Sequence, residues 1–253
     1  MTAGVHPDWI VPDWDVPARV RAIVTTRAGG VSTGPYLGLN LGRSTGDDPE
    51  HVNRNRELLR AAVPAELRWL RQAHGATVVD AAQVAAPVEA DASYAVEPNV
   101  LCVVSVADCL PVFLADRQGR AVAVAHAGWR GLAAGVLQAT AHALRARLGE
   151  ADARVQAWVG PGIGPAHFEV GADVLDAMER TLARAREAFA PVAGGKFRAD
   201  LPALARQALA QVGVTDVGGG TLCTYSDPSR FYSFRRDRIT GRHAAVIWLA
   251  AVV

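Results

Sequence analysis

The chain has 253 residues, with 26 Lys and Arg against 25 Asp and Glu, and half of its residues are hydrophobic. A formal net charge of +1 does not supply the basic surface that binding to nucleic acid phosphates requires. Every apolar run is interrupted before the roughly 20 residues that a membrane span needs. The N-terminal residues also lack the pattern of a secretion signal. We therefore expect a soluble protein without a membrane or nucleic acid partner.

The cysteine content indicates a reducing compartment. Cys102, Cys109 and Cys223 are an odd number without a close pair, and they form neither a disulfide framework nor a CxxC motif. A chain of this length buries roughly 70–75% of its unfolded surface, so its core does not need disulfides. We therefore expect a cytoplasmic protein.

The first half of the chain predicts buried strands and one capped helix. A β-branched run over residues 20–26 predicts a strand that ends in a glycine-containing loop. Asp48 is a favourable N-cap and Pro49 a favourable first helical residue, so a short surface helix is expected to begin there. Residues 100–127 predict three buried strands, which we expect at the centre of the sheet.

The second half predicts helices that alternate with strands. Apolar residues at helical spacing predict a helix over residues 131–148, and Gly149 is a suitable stop. The remaining predicted elements are a strand over 155–160, helices over 172–187 and 201–212, and strands over 231–235 and 243–252. This alternation is typical of a mixed α/β fold, and no linker divides it, which favours one domain over residues 1–253.

Three residues next to predicted strand ends have side chains suited to chemistry: His74, Cys109 and His126. Two imidazoles and one thiolate are a suitable zinc set, and three protein ligands leave one tetrahedral position open, as in catalytic zinc sites. The residues alone leave two other interpretations open. One is a buried structural thiol with turn-capping histidines, and the other is a metal-free Cys–His pair with a nucleophilic thiolate. Asp91 and Asp108 are candidate acid/base groups or partners of the ligands, with turn capping as the alternative.

Cationic and polar side chains near these positions indicate an anionic or hydroxyl-rich ligand. Arg130 lies at the start of the helix predicted after the third strand, where free backbone N–H groups favour a phosphate or carboxylate. Arg27 and Asn40 flank the glycine-containing segment, and Arg235 follows an aromatic pair. We take these four residues as candidates for substrate binding. The alternative for each arginine is a solvated surface charge.

Six sequence blocks together resemble one known protein family. They are residues 25–32 (TTRAGGVS), 39–42 (LNLG), 72–75 (QAHG), 107–111 (ADCLP), 126–131 (HAGWRG) and the tail 223–225 (CTY) with 231–237 (FYSFRRD). In these blocks the chain is similar to the laccase-domain or multicopper polyphenol oxidase family, whose members are also called peptidoglycan editing factors and purine nucleoside phosphorylases. The blocks follow one another along nearly the whole chain.

The resemblance implies a fold, a metal and several activities. The implied fold is a single-domain mixed-sheet α/β sandwich with flanking helices, usually monomeric, and the implied metal is zinc on His74, Cys109 and His126. The implied reactions are phosphorolysis of adenosine, inosine and methylthioadenosine with phosphate as the second substrate, and deamination of adenosine. Relatives are also linked to removing wrong amino acids from a cell-wall precursor.

One label of the family conflicts with the sequence. Seven scattered histidines without a His-x-His pair cannot supply a blue-copper centre coupled to a trinuclear cluster. We therefore reject a true laccase mechanism and expect any phenol oxidation to come from copper in the same open site.

The leading hypothesis is a zinc-dependent purine nucleoside enzyme with His74, Cys109 and His126 at its catalytic centre. Deamination would use zinc-activated water at the purine C6 position, whereas phosphorolysis would depend mainly on arginines that hold phosphate. An alternative enzyme is an amidase that cleaves a muramyl precursor with Cys109 or zinc. A non-enzymatic protein with structural zinc is a further alternative, which three rather than four ligands disfavour.

Overall fold

The computed structural model describes residues 5–151 and 153–251, which contain thirteen strands and six α-helices. The strands are β1 (Val20–Val24), β2 (Leu67–Arg68), β3 (Val78–Asp80), β4 (Ala92–Ala95), β5 (Leu101–Val106), β6 (Leu110–Asp116), β7 (Val122–Ala127), β8 (Val155–Val159), β9 (Glu169–Val170), β10 (Phe189–Val192), β11 (Lys196–Ala199), β12 (Val217–Gly219) and β13 (His243–Leu249). The helices are α1 (Pro49–Ala61), α2 (Trp129–Ala133), α3 (Val136–Leu148), α4 (Ala172–Glu179), α5 (Leu201–Gln211) and α6 (Phe234–Asp237).

Two sheets pack face to face and form a sandwich. One sheet has the strand order β1-β13-β5-β2, and the other has the order β12-β8-β6-β7-β4-β3. Most neighbouring strands are antiparallel, but β2–β5, β3–β4 and β8–β12 are parallel, so both sheets are mixed. The layer between the sheets is apolar, and Phe113 stacks on Trp158 within it with 6.0 Å between ring centroids. These features confirm the predicted α/β sandwich.

Helices cover the outer faces of both sheets. Apolar side chains of α3, α4 and α5 form one core with the outer face of the six-stranded sheet, and a small sheet of order β10-β11-β9 joins this side. Leu59 of α1 packs in a separate core against the outer face of the four-stranded sheet. Within residues 5–151 and 153–251, no helix combines the length and apolar composition that crossing a membrane requires.

Several predicted elements are confirmed, with one change in their arrangement. The helix α1 begins at Pro49, and the Asp48 carboxylate caps it by accepting from the backbone N–H of Glu50. The three strands predicted over residues 100–127 are β5, β6 and β7, but they are not neighbours at one sheet centre. The strand β5 belongs to the four-stranded sheet, because the turn 107–109 carries the chain across to the other sheet. Cys109 lies in this crossover.

The helix predicted over residues 131–148 is divided in two. It consists of α2 and α3, because Gly135 adopts a left-handed conformation with φ of 84° that an α-helix cannot contain. The predicted stop is confirmed, since Gly149 follows α3 with φ of 68°. The region predicted as a helix over 172–187 is also divided, because α4 ends at Glu179 and a 3-10 helix forms only at Ala185–Ala188.

The prediction of a strand over residues 231–235 is wrong. Ser233 instead caps α6, since its hydroxyl accepts from the backbone N–H of Arg236. The aromatic residues that favoured a strand are Phe231 and Tyr232, and both are buried by tertiary packing without sheet pairing. The strand predicted over 243–252 is β13 and ends at Leu249, while Val252 lies outside the described residues.

Candidate metal centre

His74, Cys109 and His126 meet at the end of the β6–β7 ladder. One ligand atom from each side chain lies within 4.8 Å of the other two, and the imidazole rings approach edge to face with 4.7 Å between centroids. His126 is buried, Cys109 is partly exposed and His74 is exposed, so the cluster opens to solvent on the His74 side. In the part of the chain that the structure describes, this is the only group of three or more His, Cys, Asp or Glu arranged to hold a metal.

Strand register explains why Cys109 and His126 are adjacent. In the β6–β7 ladder His126 pairs with Pro111, two residues after Cys109. The two ligands therefore come from the same end of neighbouring strands, although they are distant in sequence.

Two residues of this region have left-handed backbones that are unusual without glycine. His74 has φ of 60° in the loop between β2 and β3, and Asp108 has φ of 83° in the turn just before Cys109. Residues other than glycine pay about 1–3 kcal/mol for such conformations, which persist only where surrounding contacts fix them.

For His74, the contacts converge on the carboxylate of Asp91, which is only 1% exposed. Its Oδ1 accepts from the backbone N–H of His74 at 2.9 Å and lies 2.8 Å from Nδ1 of His126. Its Oδ2 accepts from the backbone N–H groups of Ala73 at 3.1 Å and Gly75 at 2.7 Å. The Asp91 carboxylate thus holds both the loop of His74 and the imidazole ring of His126.

The electrostatics of Asp91 fit this positioning role. Burial acts to raise the pKa of Asp91, but the hydrogen bond from His126 and those from backbone N–H groups outweigh it and lower that pKa. An ionised Asp91 requires a proton on Nδ1 of His126, so Nε2 is the nitrogen left to bind a metal. Asp91 therefore serves as a partner of the ligands, which is one of the two roles that its sequence position suggested.

The two imidazoles prepare Cys109 as a ligand. Burial acts to raise the pKa of this thiol, but the nearby His126 and His74 outweigh burial and lower the pKa to about 6. Burial acts to lower the pKa of His126, but Cys109 and Asp91 outweigh it and raise that pKa to about 9. The thiol is therefore ready to lose its proton near neutral pH, as metal binding requires.

Gly128 supplies the space in which the ligands meet. A Cβ atom at this position would lie 2.6 Å from Sγ of Cys109 and 3.3 Å from Cδ2 of His74. The φ of Gly128 is −75°, so space rather than backbone conformation demands glycine here. With two imidazoles and a thiolate held in this space, the donor set fits zinc, which favours nitrogen and sulfur ligands in tetrahedral sites.

Asp108 anchors the C-terminal segment to the turn 107–109 that carries Cys109, which we call the ligand turn. Its Oδ1 accepts from the Thr224 hydroxyl at 2.6 Å, and its Oδ2 accepts from the backbone N–H of Arg235 at 2.7 Å. Both oxygens are therefore used in structural contacts, which fix the segment that contains α6 beside Cys109.

A contact that the sequence did not single out holds the His74 loop against β5. The side-chain amide of Gln72 donates to the carbonyl of Ser105 at 2.9 Å and accepts from the backbone N–H of Ser105 at 2.8 Å. The only sequence signal for this role is that Gln72 stands in the same block as His74.

The structure places Arg130 and Arg27 in different surroundings. Arg130 is exposed, with its guanidinium 4.3 Å from the centre of the Trp129 ring. Arg27 donates to the carbonyls of Leu37 at 3.3 Å and Pro228 at 2.8 Å, so it braces two loops. Their roles in substrate binding stay predictions.

Asn40 and Arg235 are engaged within the protein. The side chain of Asn40 is fully buried, and its Nδ2 donates to Thr45 at 3.0 Å and to Asp47 at 2.9 Å. Arg235 donates from Nη1 to the carbonyl of Glu169 at 2.6 Å. Substrate binding by these residues also stays a prediction.

Comparison with known proteins identifies the family. A sequence model described as "Multi-copper polyphenol oxidoreductase laccase" matches residues 21–250. A purine nucleoside phosphorylase of Pseudomonas aeruginosa is 51% identical over 242 residues, covering 95% of this chain and 98% of the relative. YfiH of Escherichia coli, also named a purine nucleoside phosphorylase, is 47% identical over 243 residues, covering 95% and 98%. The chain therefore belongs to this laccase-like family, as its sequence blocks indicated.

Solved structures of relatives share the fold. A protein of Neisseria meningitidis is 47% identical with a TM-score of 0.90, and the match covers 96% of this chain and 100% of that one. YlmD of Geobacillus stearothermophilus is 31% identical with a TM-score of 0.85, covering 92% and 93%. These similarities confirm the predicted family and the mixed α/β architecture.

The number of copper ligands that the family description implies differs from the number of ligands found in the structure. Blue-copper and trinuclear copper centres need ligands for several ions, whereas residues 5–151 and 153–251 contain one three-ligand cluster. All seven histidines of the sequence lie within those residues. The ligand count therefore fits a single metal ion.

We expect Asp91→Asn to weaken zinc binding about 10- to 100-fold, because an amide cannot accept from all four donors and loses the ionic partner of His126. Competition with a chromophoric chelator measures this affinity. Asp116→Asn is the matched control, since Asp116 is equally buried but pairs with Arg120. Equal zinc affinities for the two variants would contradict the role of Asp91.

We expect Gly128→Ala to lower the zinc content of the purified protein well below one ion per chain, because the added methyl group displaces Sγ of Cys109. Metal analysis after gel filtration is the measurement. Gly194→Ala is the control. Gly194 has φ of 73° and open space around it, so an alanine there destabilises the protein only through its backbone conformation. Full zinc content in Gly128→Ala would show that the ligands do not meet as described.

In metal-free protein we expect alkylation of Cys109 by iodoacetamide to accelerate as pH rises through about 6, because the thiolate predominates above its lowered pKa. His126→Ala should move this midpoint upward, toward the ordinary thiol value of 9.0. Cys109→Ser measures the background from Cys223, and Cys102 should be inert because burial raises its pKa to about 12. A midpoint near 9 in the unsubstituted protein is the contrary result.

Proposed function

We propose that the protein is a zinc-dependent purine nucleoside phosphorylase that acts on adenosine, inosine and methylthioadenosine, and that the same site deaminates adenosine. One observation carries the proposal: His74, Cys109 and His126 form a cluster of three ligands rather than four, open to solvent at one side. Three-ligand zinc sites are typical of catalysis. The names of the two bacterial relatives support the nucleoside class.

The residues around the cluster have separate tasks. Asp91 holds the proton on Nδ1 of His126, and the lowered pKa of Cys109 favours its thiolate. His74, Cys109 and His126 would hold the zinc, which would supply Lewis acidity. Because His74 is the exposed ligand, substrate approaches from its side.

Phosphorolysis places a second demand on the site, which is to hold an anion. A phosphate oxygen forms a bond to C1′ of the ribose as the C1′–N bond of the purine breaks, and the purine leaves with that electron pair and takes up a proton. Arg130 suits this demand, because it extends from the segment after His126 and forms no ion pair with the described carboxylates. Arg27 and Arg235 are the further proposed contacts, and the buried Asn40 is proposed to contribute to substrate binding by positioning its neighbours.

We also propose that residues 1–253 act as one cytoplasmic, monomeric domain. The free Cys102, Cys109 and Cys223 support a reducing compartment. The pairing of β13 between β1 and β5 supports one domain, because it joins the two ends of the chain in one sheet. Analytical ultracentrifugation of the purified protein tests the monomer.

A nucleoside panel with and without phosphate tests the proposed activity. With phosphate, we expect the zinc-loaded protein to convert adenosine to adenine and ribose 1-phosphate, and without phosphate to inosine alone. Removal of the metal should abolish deamination and reduce phosphorolysis less, since phosphate is already anionic at pH 7. Cys109→Ala should behave like the metal-free protein, whereas Cys223→Ala should retain activity.

Two results would contradict this function. The first is turnover of a muramyl peptide without turnover of any nucleoside, which would favour an amidase with Cys109 as nucleophile. The second is release of the free purine base from a nucleoside at a rate that does not depend on phosphate. Copper added in place of zinc tests whether phenol oxidation arises from the same cluster.

A further inference from the structure

Arg242 lies beside the ligand turn, and the function proposed above gives it no role. Arg242 immediately precedes β13, whose antiparallel register with β5 sets His243 opposite Val106. Continuing this register by one residue places Arg242 beside the turn that carries Cys109. The fold therefore brings a cation from the C-terminal part of the chain to the edge of the metal centre.

The guanidinium of Arg242 is partly buried, and the described residues supply no carboxylate partner for it. Its Nη1 donates to the carbonyls of Thr240 at 3.1 Å and Gly241 at 2.9 Å, and its Cζ lies 5.8 Å from the ring centre of Phe234. No carboxylate among residues 5–151 and 153–251 forms an ion pair with it. Partly buried charges in proteins are generally paired, so this arrangement leaves Nε and Nη2 for an anion from outside.

The backbone of Arg242 is anchored by Asn40, and its side chain lies in the space beside Gly42. The side-chain Oδ1 of the buried Asn40 accepts from the backbone N–H of Arg242 at 2.9 Å and from that of Gly42 at 3.0 Å. A Cβ atom on Gly42 would lie 2.6 Å from Cγ of Arg242, so glycine here leaves room for the arginine stem. Asn40 thus acts as a positioning residue for this cation.

The charged groups near Arg242 agree with its position at the edge of the metal centre. Burial lowers the pKa of Arg242, while the nearby Cys109 and Asp108 act to raise it. The guanidinium remains cationic at neutral pH, as arginines do in proteins. It therefore adds a positive charge beside the turn that carries Cys109.

We propose that Arg242 binds the phosphate that serves as second substrate, through the guanidinium N–H groups that the protein leaves unused. This inference rests on the proposed phosphorylase function and adds a second arginine, besides Arg130, that holds its anion. A guanidinium suits this task because its planar N–H groups match two phosphate oxygens at once.

Steady-state kinetics of the zinc-loaded protein test this assignment. In Arg242→Gln we expect the KM for phosphate to rise about ten- to a hundredfold, as the loss of charge-assisted hydrogen bonds predicts. The KM for adenosine, the zinc content and phosphate-free deamination should stay within about twofold of the parent values. Arg242→Lys should recover part of the phosphate affinity, and Gly42→Ala should impair it by displacing the arginine stem.

Arg56→Gln is the matched control. Arg56 is also partly buried and stacked on an aromatic ring, 3.8 Å from the centre of Trp69, and it donates to the carbonyl of Leu41. Its removal should leave the phosphate KM unchanged.

Three outcomes would overturn the assignment: an unchanged phosphate KM in Arg242→Gln, an equal rise in the KM for adenosine, or loss of zinc. The last two would mean that Arg242 binds the ribose or supports the ligand turn. If the parent protein shows no phosphate-dependent turnover, the proposed function fails by itself. Calorimetric titration of inorganic phosphate into zinc-loaded parent protein and Arg242→Gln then tests the binding site alone, and equal binding would refute it.

Discussion

The site depends on one buried carboxylate. Asp91 draws the loop of His74 and the ring of His126 together with four hydrogen bonds. The left-handed backbone of His74 is one conformation that this carboxylate stabilises. A metal centre with an exposed ligand needs such support, because solvent contacts alone do not hold an imidazole in one orientation.

The sandwich brings the other parts of the site to this carboxylate. Cys109 lies where the chain passes from one sheet to the other, so its position depends on how the two sheets pack. Asp108, its neighbour, fastens the C-terminal segment to the same turn through Thr224 and the backbone of Arg235. The site is therefore assembled from both sheets and from distant parts of the chain, which explains why the family resemblance extends over nearly the whole sequence.

Sequence patterns predicted local features well and tertiary arrangements poorly. The Asp48 cap, the strands around Cys109 and the stop at Gly149 depend on neighbouring residues, and all are confirmed. The break at Gly135 and the cap at Ser233 were missed because apolar spacing and aromatic content outweighed a single glycine or serine. Short strands such as β2, β3 and β12 lack a periodic signal. The environment of Arg242 could not be predicted from the sequence either, because it depends on strand register and on Asn40. The sequence suggested Asn40 only as a binding residue.

The balance of charge around the cluster bears on which chemistry it favours. A divalent zinc with one thiolate and two neutral imidazoles would carry a net charge of +1, and Arg242 adds a further positive charge beside the ligand turn. Hydrogen bonds from the protein engage the carboxylate oxygens of Asp91 and Asp108, so these oxygens do not compete with an incoming anion for the metal or for Arg242. A metal and an arginine without a carboxylate partner among the described residues suit an anionic ligand such as phosphate. This arrangement therefore supports the proposal that phosphate is the second substrate.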